Sequence, residues 1–314
     1  MLHKSQTKPA LISIVGPTAS GKSSLALEIA KHVGGEIISC DSLQVYRDLT
    51  VGTGKPSVAE LSRVKHHLIG ILKLDEIFSA GDMQQRGRGV IEELAARGVP
   101  AVVAGGTGFY YRALLYGLSS APARSQALRR RLQHIATRRG GDFLVRMLER
   151  VDPQSAARIM PRDRMRIVRA LEVFFASGIP FSRFAGGQDQ WLDQFCWIGL
   201  GLNPDRKSLY DKINCRVERM LRGGWLEEVS DLLAQGANPE WKAFEAIGYR
   251  QVVDYLRQGG DIDALVELIR QQTRNYAKRQ WTWFRREPGI RWLPGFGEQP
   301  EIIATALEHI DRSR

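Results

Sequence analysis

The sequence contains little cysteine and no long apolar segment. Its three cysteines, Cys40, Cys196 and Cys215, are too few and too scattered for a disulfide framework or a CxxC metal site, so we expect reduced thiols. No run approaches the roughly 20 apolar residues that cross a bilayer, and the first ten residues lead into a strand-like segment rather than a signal sequence. A globular protein of the cytoplasm without a membrane partner is therefore expected.

Lysine is also scarce where the positive charge is highest. Residues 121–172 contain 13 arginines, no lysine and five acids, and residues 270–291 contain seven basic residues and one acid. These two segments carry more than the whole net charge of +11, so the rest of the chain is slightly acidic. Clustered basic charge indicates a polyanion such as nucleic acid, although short charge runs can also form ordinary solvated helix faces.

A glycine-rich segment at residues 16–23, GPTASGKS, matches the pattern GxxxxGKS in full. It follows an apolar strand pattern at 11–15 and precedes a helix pattern at 22–32, which is the context that a phosphate-binding loop (P-loop) requires. Alone, the motif is typical of a nucleotide site that binds ATP. Its backbone amides and the Lys22 ammonium are predicted to bind phosphate, and the Ser23 hydroxyl is placed for magnesium. The predicted phosphate-binding residues are Gly16, Pro17, Thr18, Ala19, Ser20, Gly21, Lys22 and Ser23.

Two further polar segments follow predicted strands. Asp41 comes after the strand pattern 36–39, and the loop Gly105-Gly106-Thr107-Gly108 follows the strand pattern 101–104. Both are expected at the carboxyl edge of the sheet, where ligands bind in open α/β sheets. Asp41 is either a general base or magnesium ligand, or a helix N-cap. Without the P-loop, the glycine loop would be better explained as an ordinary strand-to-helix turn with Thr107 as the N-cap; beside the P-loop, it can place a hydroxyl near the phosphates.

The order of patterns predicts an α/β fold, with a P-loop NTPase-like parallel sheet core and an inserted all-helical subdomain. Strand patterns at 67–72 and 195–202 and helix patterns at 81–97 and 108–116 complete the core, after which the chain is expected to be mostly helical. Strand signals are missing from about 120 to 193. The predicted domains are therefore a catalytic core of residues 1–120 and 194–314 and an inserted, arginine-rich helical subdomain of residues 121–193.

Helical periodicity assigns separate faces within the two basic segments. In the insert, Arg162, Arg166 and Arg169 share a face opposite an apolar one. Near the C-terminus, one face carries Arg274, Lys278, Thr282 and Arg285, and another carries Tyr276, Gln280 and Trp283. Aromatic rings among arginines suit nucleic acid, but the rings are also typical core anchors, so the basic face is the predicted binding surface. His66 and His67 are adjacent and would point to opposite faces of a strand, so no metal role is assigned to them.

Taken together, the motifs resemble the tRNA dimethylallyltransferase (tRNA isopentenyltransferase) family over nearly the whole chain. The resemblance rests on the order and spacing of six segments, with Phe109-Tyr110-Tyr111 standing where the family usually has a Leu-Tyr pair. The six segments are GPTASGKS at 16–23, DSLQVY at 41–46, GGTG and a following Tyr at 105–111, DRMRIVRALEV at 163–173, IGYRQ at 247–251, and YAKRQWTWFR at 276–285.

The resemblance implies transfer of a dimethylallyl group from dimethylallyl diphosphate to the exocyclic amine of the adenosine 3′ of the anticodon, with release of diphosphate. It implies that the P-loop binds diphosphate with magnesium, that Asp41 is the general base, and that Thr107 and Arg216 support the diphosphate and the transferred group. A monomer that binds the tRNA anticodon stem-loop is expected. The residues implied to face tRNA are Asp41, Ser42, Leu43, Gln44, Thr107, Arg129, Arg162, Asp163, Arg164, Met165, Arg166, Gly248, Tyr249, Arg250, Gln251, Lys278, Arg279, Gln280, Trp281, Thr282, Trp283, Phe284 and Arg285.

Three other functions use some of the same features. A small-molecule P-loop kinase would use the loop for ATP and Asp41 for a substrate hydroxyl, but it does not need the arginine-rich insert. An adenylate isopentenyltransferase would prenylate a free nucleotide, which the extensive basic segments argue against. A non-catalytic RNA-binding protein would not need the intact GKS sequence and Asp41.

Overall fold

Six strands form a parallel sheet whose carboxyl edge carries the P-loop. In this computed structural model, which describes residues 8–122, 124–184 and 189–314, the strand order is β3-β2-β4-β1-β5-β6. Every adjacent pair is parallel. The strands are β1 (Ala10–Val15), β2 (Glu36–Ser39), β3 (His66–His67), β4 (Ala101–Ala104), β5 (Cys196–Leu202) and β6 (Ile290–Leu293).

Helices connect the strands and, among the residues that the structure describes, form all the regular structure between β4 and β5. The α-helices of the described chain are α1 (Lys22–Val33), α2 (Val58–Arg63), α3 (Ala80–Ala96), α4 (Gly108–Tyr116), α5 (Gln126–Arg139), α6 (Gly141–Val151), α7 (Pro153–Arg158), α8 (Arg164–Ser177), α9 (Arg206–Arg222), α10 (Trp225–Ala234), α11 (Tyr249–Gln258), α12 (Ile262–Phe284) and α13 (Pro300–Ser313). Short 3-10 helices lie at Val51–Thr53, Phe181–Arg183, Gln190–Gln194 and Lys242–Glu245. No helix of this described part is long and apolar enough to cross a membrane.

The two faces of the central strand β1 show how the sheet is covered. Ile12 and Ile14 are fully buried in a cluster that includes residues of α1 and α13. Ser13 points the other way, where its hydroxyl lies 3.1 Å from the Tyr111 hydroxyl of α4. A strand buried on both faces is apolar nearly throughout, as the sequence of β1 is. The predicted α/β class with a parallel sheet is therefore confirmed.

Two strands differ from the sequence-based prediction. The pattern at 67–72 gives only the two-residue strand β3, because Leu68 and Gly70 adopt left-handed conformations with φ of 62° and 61° and end the extended chain. The prediction of a mostly helical chain after β5 missed β6. This strand has four residues at the sheet edge, with Arg291 exposed, so it lacks the apolar run that marks the central strands.

Residues 117–189 form a compact unit of their own, and the remaining residues form the larger unit that contains the sheet. Helices α5, α6 and α8 of the smaller unit share an apolar core that includes Leu132, Leu144, Leu148, Ile167 and Leu171. The insert predicted at 121–193 differs from this unit at both ends. Residues 190–193 belong to the larger unit because Trp191 packs on Phe195 at 4.7 Å between ring centroids and donates a 2.7 Å hydrogen bond to Glu92.

A buried carboxylate holds the smaller unit together. Glu172 of α8 is fully buried and accepts hydrogen bonds from the Ser125 backbone N–H, from Arg129 and from Arg169, with both arginine contacts at 3.2 Å. Burial alone would raise the pKa of Glu172, but the hydrogen bonds from Ser125 and the two arginines outweigh it and lower the pKa. The charged form of Glu172 is therefore stabilised in the folded unit.

We expect Glu172→Gln to lower the free energy of unfolding of the 117–189 unit by about 3–5 kcal/mol, because it leaves two arginines without their buried counter-ion. Hydrogen exchange of amides in α5 and α8 measures this change. Since the folded pKa is depressed, the contribution is present above the unfolded pKa of Glu and is lost as pH falls through the folded value. The matched control is Glu149→Gln on the exposed side of α6. Equal exchange rates in both variants would contradict the role of Glu172.

Candidate active site

The P-loop turns between β1 and α1 through three residues of positive φ. Gly16, Ala19 and Gly21 have φ of 148°, 64° and 85°, and Ala19 is one of the two non-glycine residues of the described chain with positive φ. The Ser20 hydroxyl is fully buried and has no hydrogen-bond partner among the described residues. A buried, unpaired hydroxyl is costly unless a ligand or water satisfies it. The loop therefore has the conformation and the unsatisfied polar group of an anion site at a helix N-terminus.

Lys22 extends back over this loop. Its ammonium donates a 2.7 Å hydrogen bond to the Pro17 carbonyl, so the charge is held at the loop rather than in solvent. The pKa of Lys22 is lowered to about 8, mainly by burial; the Asp41 carboxylate opposes this effect and the nearby Arg216 adds to it. Lys22, Asp41 and Arg216 therefore share one electrostatic environment. Ser23 is exposed at the start of α1, so its hydroxyl oxygen is accessible to a ligand.

Asp41 performs a structural task with one oxygen and leaves the other free. Its Oδ1 accepts hydrogen bonds from the backbone N–H groups of Leu43 at 2.8 Å and Gln44 at 3.4 Å, which closes a turn over residues 42–45. Within the described residues, Oδ2 has no hydrogen-bond partner. The N-cap alternative is therefore wrong, because a turn and not a helix follows Asp41. The free oxygen is compatible with a general base.

The loop at 105–108 is bonded directly to this turn. The Thr107 N–H donates to the Cys40 carbonyl at 3.4 Å, and the Thr107 hydroxyl accepts from the Ser42 N–H at 3.2 Å. Thr107 therefore joins the ends of β2 and β4, which are adjacent in the sheet. Of the residues after this loop, Tyr110 and Tyr111 are buried, whereas Phe109 is half exposed.

Arg216 of α9 reaches the same region across the loop at 50–54. Its guanidinium lies against Gly54, where an added Cβ would come 2.1 Å from Nη2. Burial lowers the pKa of Arg216, and the Asp41 charge partly restores it. Arg216 forms no ion pair with any other described residue. A guanidinium that is partly desolvated and not neutralised by a carboxylate is suited to binding an anion.

The loop at 50–54 is fixed by the IGYRQ segment. Tyr249 is fully buried, donates a 2.7 Å hydrogen bond to Glu228 and accepts one of 3.1 Å from the Gly52 N–H. Glu228 also accepts from the N–H groups of Thr50 and Val51, each at 2.9 Å. At the other end of the loop, the Gly54 carbonyl accepts from Gln44 at 3.2 Å. Tyr249 therefore supports the loop beside Arg216, and its side chain is not on the surface.

One face of α12 lies along the glycine loop at 105–108. Gln280 donates a 2.8 Å hydrogen bond to the Gly106 carbonyl, the Tyr276 hydroxyl lies 3.5 Å from the same carbonyl, and Trp283 packs against Gly108. Burial, followed by the Asp41 charge, raises the pKa of Tyr276 to about 12. The sequence grouped these three residues on one face but did not reveal what the face contacts. The glycines of the loop at 105–108 could have indicated this contact, because glycine has no side chain and lets another residue pack closely against its backbone.

The structure divides the residues predicted to face tRNA into exposed and buried groups. Gln280, Trp281 and Phe284 of α12 are buried, as is Tyr249, and Arg129 is paired with the buried Glu172. These side chains support the fold instead of forming a surface. Gly248 and Gln251 form the first turn of α11, where Gln251 accepts from the Gly248 N–H at 2.6 Å, and Arg250 lies 3.7 Å from Glu240 and from Asp254. The exposed residues are Lys278, Arg279 and Thr282 on α12, Arg285 directly after it, and Arg162, Arg164, Met165 and Arg166 around the start of α8, where Asp163 caps the helix.

Comparisons with known proteins show similarity over nearly the whole chain. Residues 44–287 match the model of the family described as IPP transferase. A tRNA dimethylallyltransferase 1 from Citrifermentans bemidjiense is 44% identical over 309 residues, covering 98% of each chain. A tRNA dimethylallyltransferase from Solibacter usitatus is 45% identical over 301 residues, covering 96% of this chain and 97% of the relative.

A solved structure is similar over the same length. The full-length tRNA isopentenylpyrophosphate transferase from Bacillus halodurans superposes with a TM-score of 0.72 at 32% identity, covering 98% of this chain and 97% of the other. The similarity to the two relatives and to this structure includes the segments before residue 44, where the P-loop and Asp41 lie. This chain belongs to the IPP transferase family.

Proposed function

We propose that this protein transfers a dimethylallyl group from dimethylallyl diphosphate to the exocyclic amine of the adenosine 3′ of the anticodon in tRNA. The observation that carries the proposal is the arrangement of Asp41 beside a phosphate loop. A carboxylate with one free oxygen shares its electrostatic environment with Lys22 and Arg216, the two cations that flank the anion site. Family membership supports the same reaction.

In the proposed reaction, the bond between the allylic carbon and the diphosphate oxygen breaks and a bond from that carbon to the adenine nitrogen forms. The diphosphate leaves with the electron pair, so cations and backbone amides placed on its oxygens lower the barrier as charge develops. We assign this task to the P-loop amides, Lys22 and Arg216. The proton released by the amine goes to Oδ2 of Asp41, and Thr107 holds the Asp41 turn in place.

Magnesium fits the donor chemistry of the same loop. The exposed Ser23 hydroxyl is a hard oxygen ligand at the start of α1, and Mg²⁺ is commonly bound by one or two protein oxygens together with substrate phosphates. In the described residues, no three His, Cys, Asp or Glu side chains are clustered as metal ligands. We propose that Ser23 would hold the ion with the diphosphate oxygens, where it would neutralise part of the leaving-group charge.

The acceptor base must leave its stack to reach Asp41. Extrusion of a nucleotide costs a few kcal/mol, which contacts to the surrounding RNA can offset. We propose that the turn at 41–44 contacts the extruded adenosine and that the exposed basic residues of α12 and of the start of α8 bind the anticodon stem-loop. We further propose that the protein acts as a monomer in the cytoplasm; a solution mass of twice 35.3 kDa would contradict the monomer.

Incubation with dimethylallyl diphosphate, Mg²⁺ and unmodified tRNA that carries adenosine 3′ of the anticodon should give prenylated adenosine, detected by mass spectrometry of the digested RNA. Parallel reactions with ATP and with free AMP distinguish the alternatives. Consumption of ATP without tRNA modification would indicate a kinase. Prenylation of AMP in preference to tRNA would indicate an adenylate isopentenyltransferase.

Replacing Arg162, Arg164 and Arg166 together by Gln should weaken tRNA binding by about 10-fold or more and reduce the slope of log affinity against log salt by roughly 2 to 3, because fewer counterions are released. Arg169 is left unchanged, although the sequence placed it on the same face, because it is bonded to Glu172. The control replaces three other exposed arginines, Arg222, Arg257 and Arg312, by Gln. Equal effects of the two triple substitutions would show that the α8 arginines contribute only overall charge.

A further inference from the structure

Gln280 bonds to both loops that flank the anion site. Its side-chain oxygen accepts a 2.7 Å hydrogen bond from the Thr18 N–H of the P-loop, and its side-chain nitrogen donates a 2.8 Å hydrogen bond to the Gly106 carbonyl. These loops follow β1 and β4, which are adjacent strands. A single amide therefore connects the phosphate loop to the loop that holds Thr107.

The geometry leaves this amide little freedom. Gln280 is only 5% exposed, and an added Cβ at Gly106 would come 2.2 Å from its side-chain nitrogen and 3.6 Å from the Lys22 ammonium. Because a buried amide needs partners for both its oxygen and its nitrogen, and both are found here on backbone groups, the side chain is held in one orientation. Its two partners are held at a fixed spacing in return.

We infer that Gln280 is a positioning residue for the donor, which sets the phosphate loop relative to the Thr107 and Asp41 side of the site. This inference rests on the proposed function. The connection runs in two steps. Gln280 fixes Gly106, and the neighbouring Thr107 accepts from the Ser42 N–H at 3.2 Å, next to the proposed base Asp41. Gln280 therefore acts on the donor and on the base through backbone groups and does not contact the reacting atoms.

The position of Gln280 on α12 distinguishes this role from RNA binding. Lys278, Arg279 and Thr282 of the same helix are exposed, whereas Gln280 points inward to the loops. Loss of an RNA contact would weaken tRNA binding. Loss of the amide connection should instead weaken diphosphate binding and leave tRNA binding intact.

The test uses the full-length variants Gln280→Ala and Gln280→Met, with Gln271→Ala on the exposed side of α12 as the matched control. Binding of inorganic diphosphate with Mg²⁺ is measured by calorimetry, tRNA binding by filter retention, and folding by thermal unfolding. We expect both Gln280 variants to raise the Kd for diphosphate by about 10-fold, with tRNA affinity changed by less than about 2-fold. Met preserves volume, so similar effects of Ala and Met assign the loss to the hydrogen bonds.

A second variant tests the same contact from the other side and guards against a simple folding defect. Gly106→Ala should displace the amide and raise the Kd for diphosphate, but it should add little to Gln280→Ala, because the group it displaces is already gone. Additive effects, or parallel losses of diphosphate and tRNA affinity, would overturn the inference. Since diphosphate binding is measured without transfer, an inactive wild-type protein would refute the proposed function alone, and an unchanged diphosphate Kd in an active Gln280→Ala variant would refute this inference alone.

Discussion

Asp41→Asn is expected to lower kcat for tRNA prenylation by about 10²–10⁴-fold while tRNA affinity stays within about 2-fold of wild type. Asparagine keeps an oxygen that can accept from the Leu43 and Gln44 N–H groups, so the turn at 42–45 is preserved. It cannot accept the proton that the amine loses. The exocyclic amine of adenine is a weak nucleophile, and base assistance as the new bond forms is therefore a large part of the expected rate.

Two further variants distinguish the loss of the base from the loss of the turn. Asp48→Asn removes an exposed carboxylate seven residues away and should leave kcat unchanged. Asp41→Ala removes both the base and the turn acceptor, so it should lower kcat as Asn does and should additionally weaken tRNA binding through the disturbed turn. Single-turnover rates with saturating tRNA provide the measurement. A wild-type rate in Asp41→Asn would remove Asp41 as the base.

The sequence predicted the parts of the site that depend on short motifs and on the strand and helix patterns next to them. The P-loop lies between a largely apolar strand and a helix, and the segments at 41 and 105–108 follow strands of the same parallel sheet, so their shared edge could be inferred from the sequence. The same argument failed at 67–72, where apolar composition suggested a strand but left-handed residues at 68 and 70 end it after two residues.

Contacts made over long sequence separations were not predictable. Gln280 meets Thr18 across 262 positions, and Tyr249 meets Gly52 across 197. Their sequence neighbourhoods, rich in arginine and aromatic residues, are typical of an RNA surface, yet these two side chains are buried. A helix carries an inner and an outer face in the same few residues, and periodicity separates the faces without showing which loop the inner one meets. The tertiary contacts in the structure identify that loop.

Replacing Lys22 should give the second large effect on activity. The pH dependence of that effect distinguishes it from a general loss of structure. Burial lowers the pKa of Lys22 to about 8 in the unliganded site. Because the charged ammonium binds the donor diphosphate, kcat/KM for dimethylallyl diphosphate should fall as pH rises through about 8. Bound diphosphate stabilises the charged form and raises this pKa, so the fall in kcat should lie at higher pH.

Lys22→Met is expected to lower kcat/KM for the donor by about 10²–10³-fold, because it removes a preorganised charge from the developing diphosphate. The substitution should also abolish the fall in kcat/KM near pH 8. Lys22→Arg retains a charge at every pH tested, so its residual activity should be flat across that range. Lys31→Met, at an exposed position of the same helix, is the control and should keep the wild-type profile. If kcat/KM of Lys22→Met still falls near pH 8, another group is responsible for that titration. The role of Lys22 in stabilising the leaving group would then rest on the loss of rate alone.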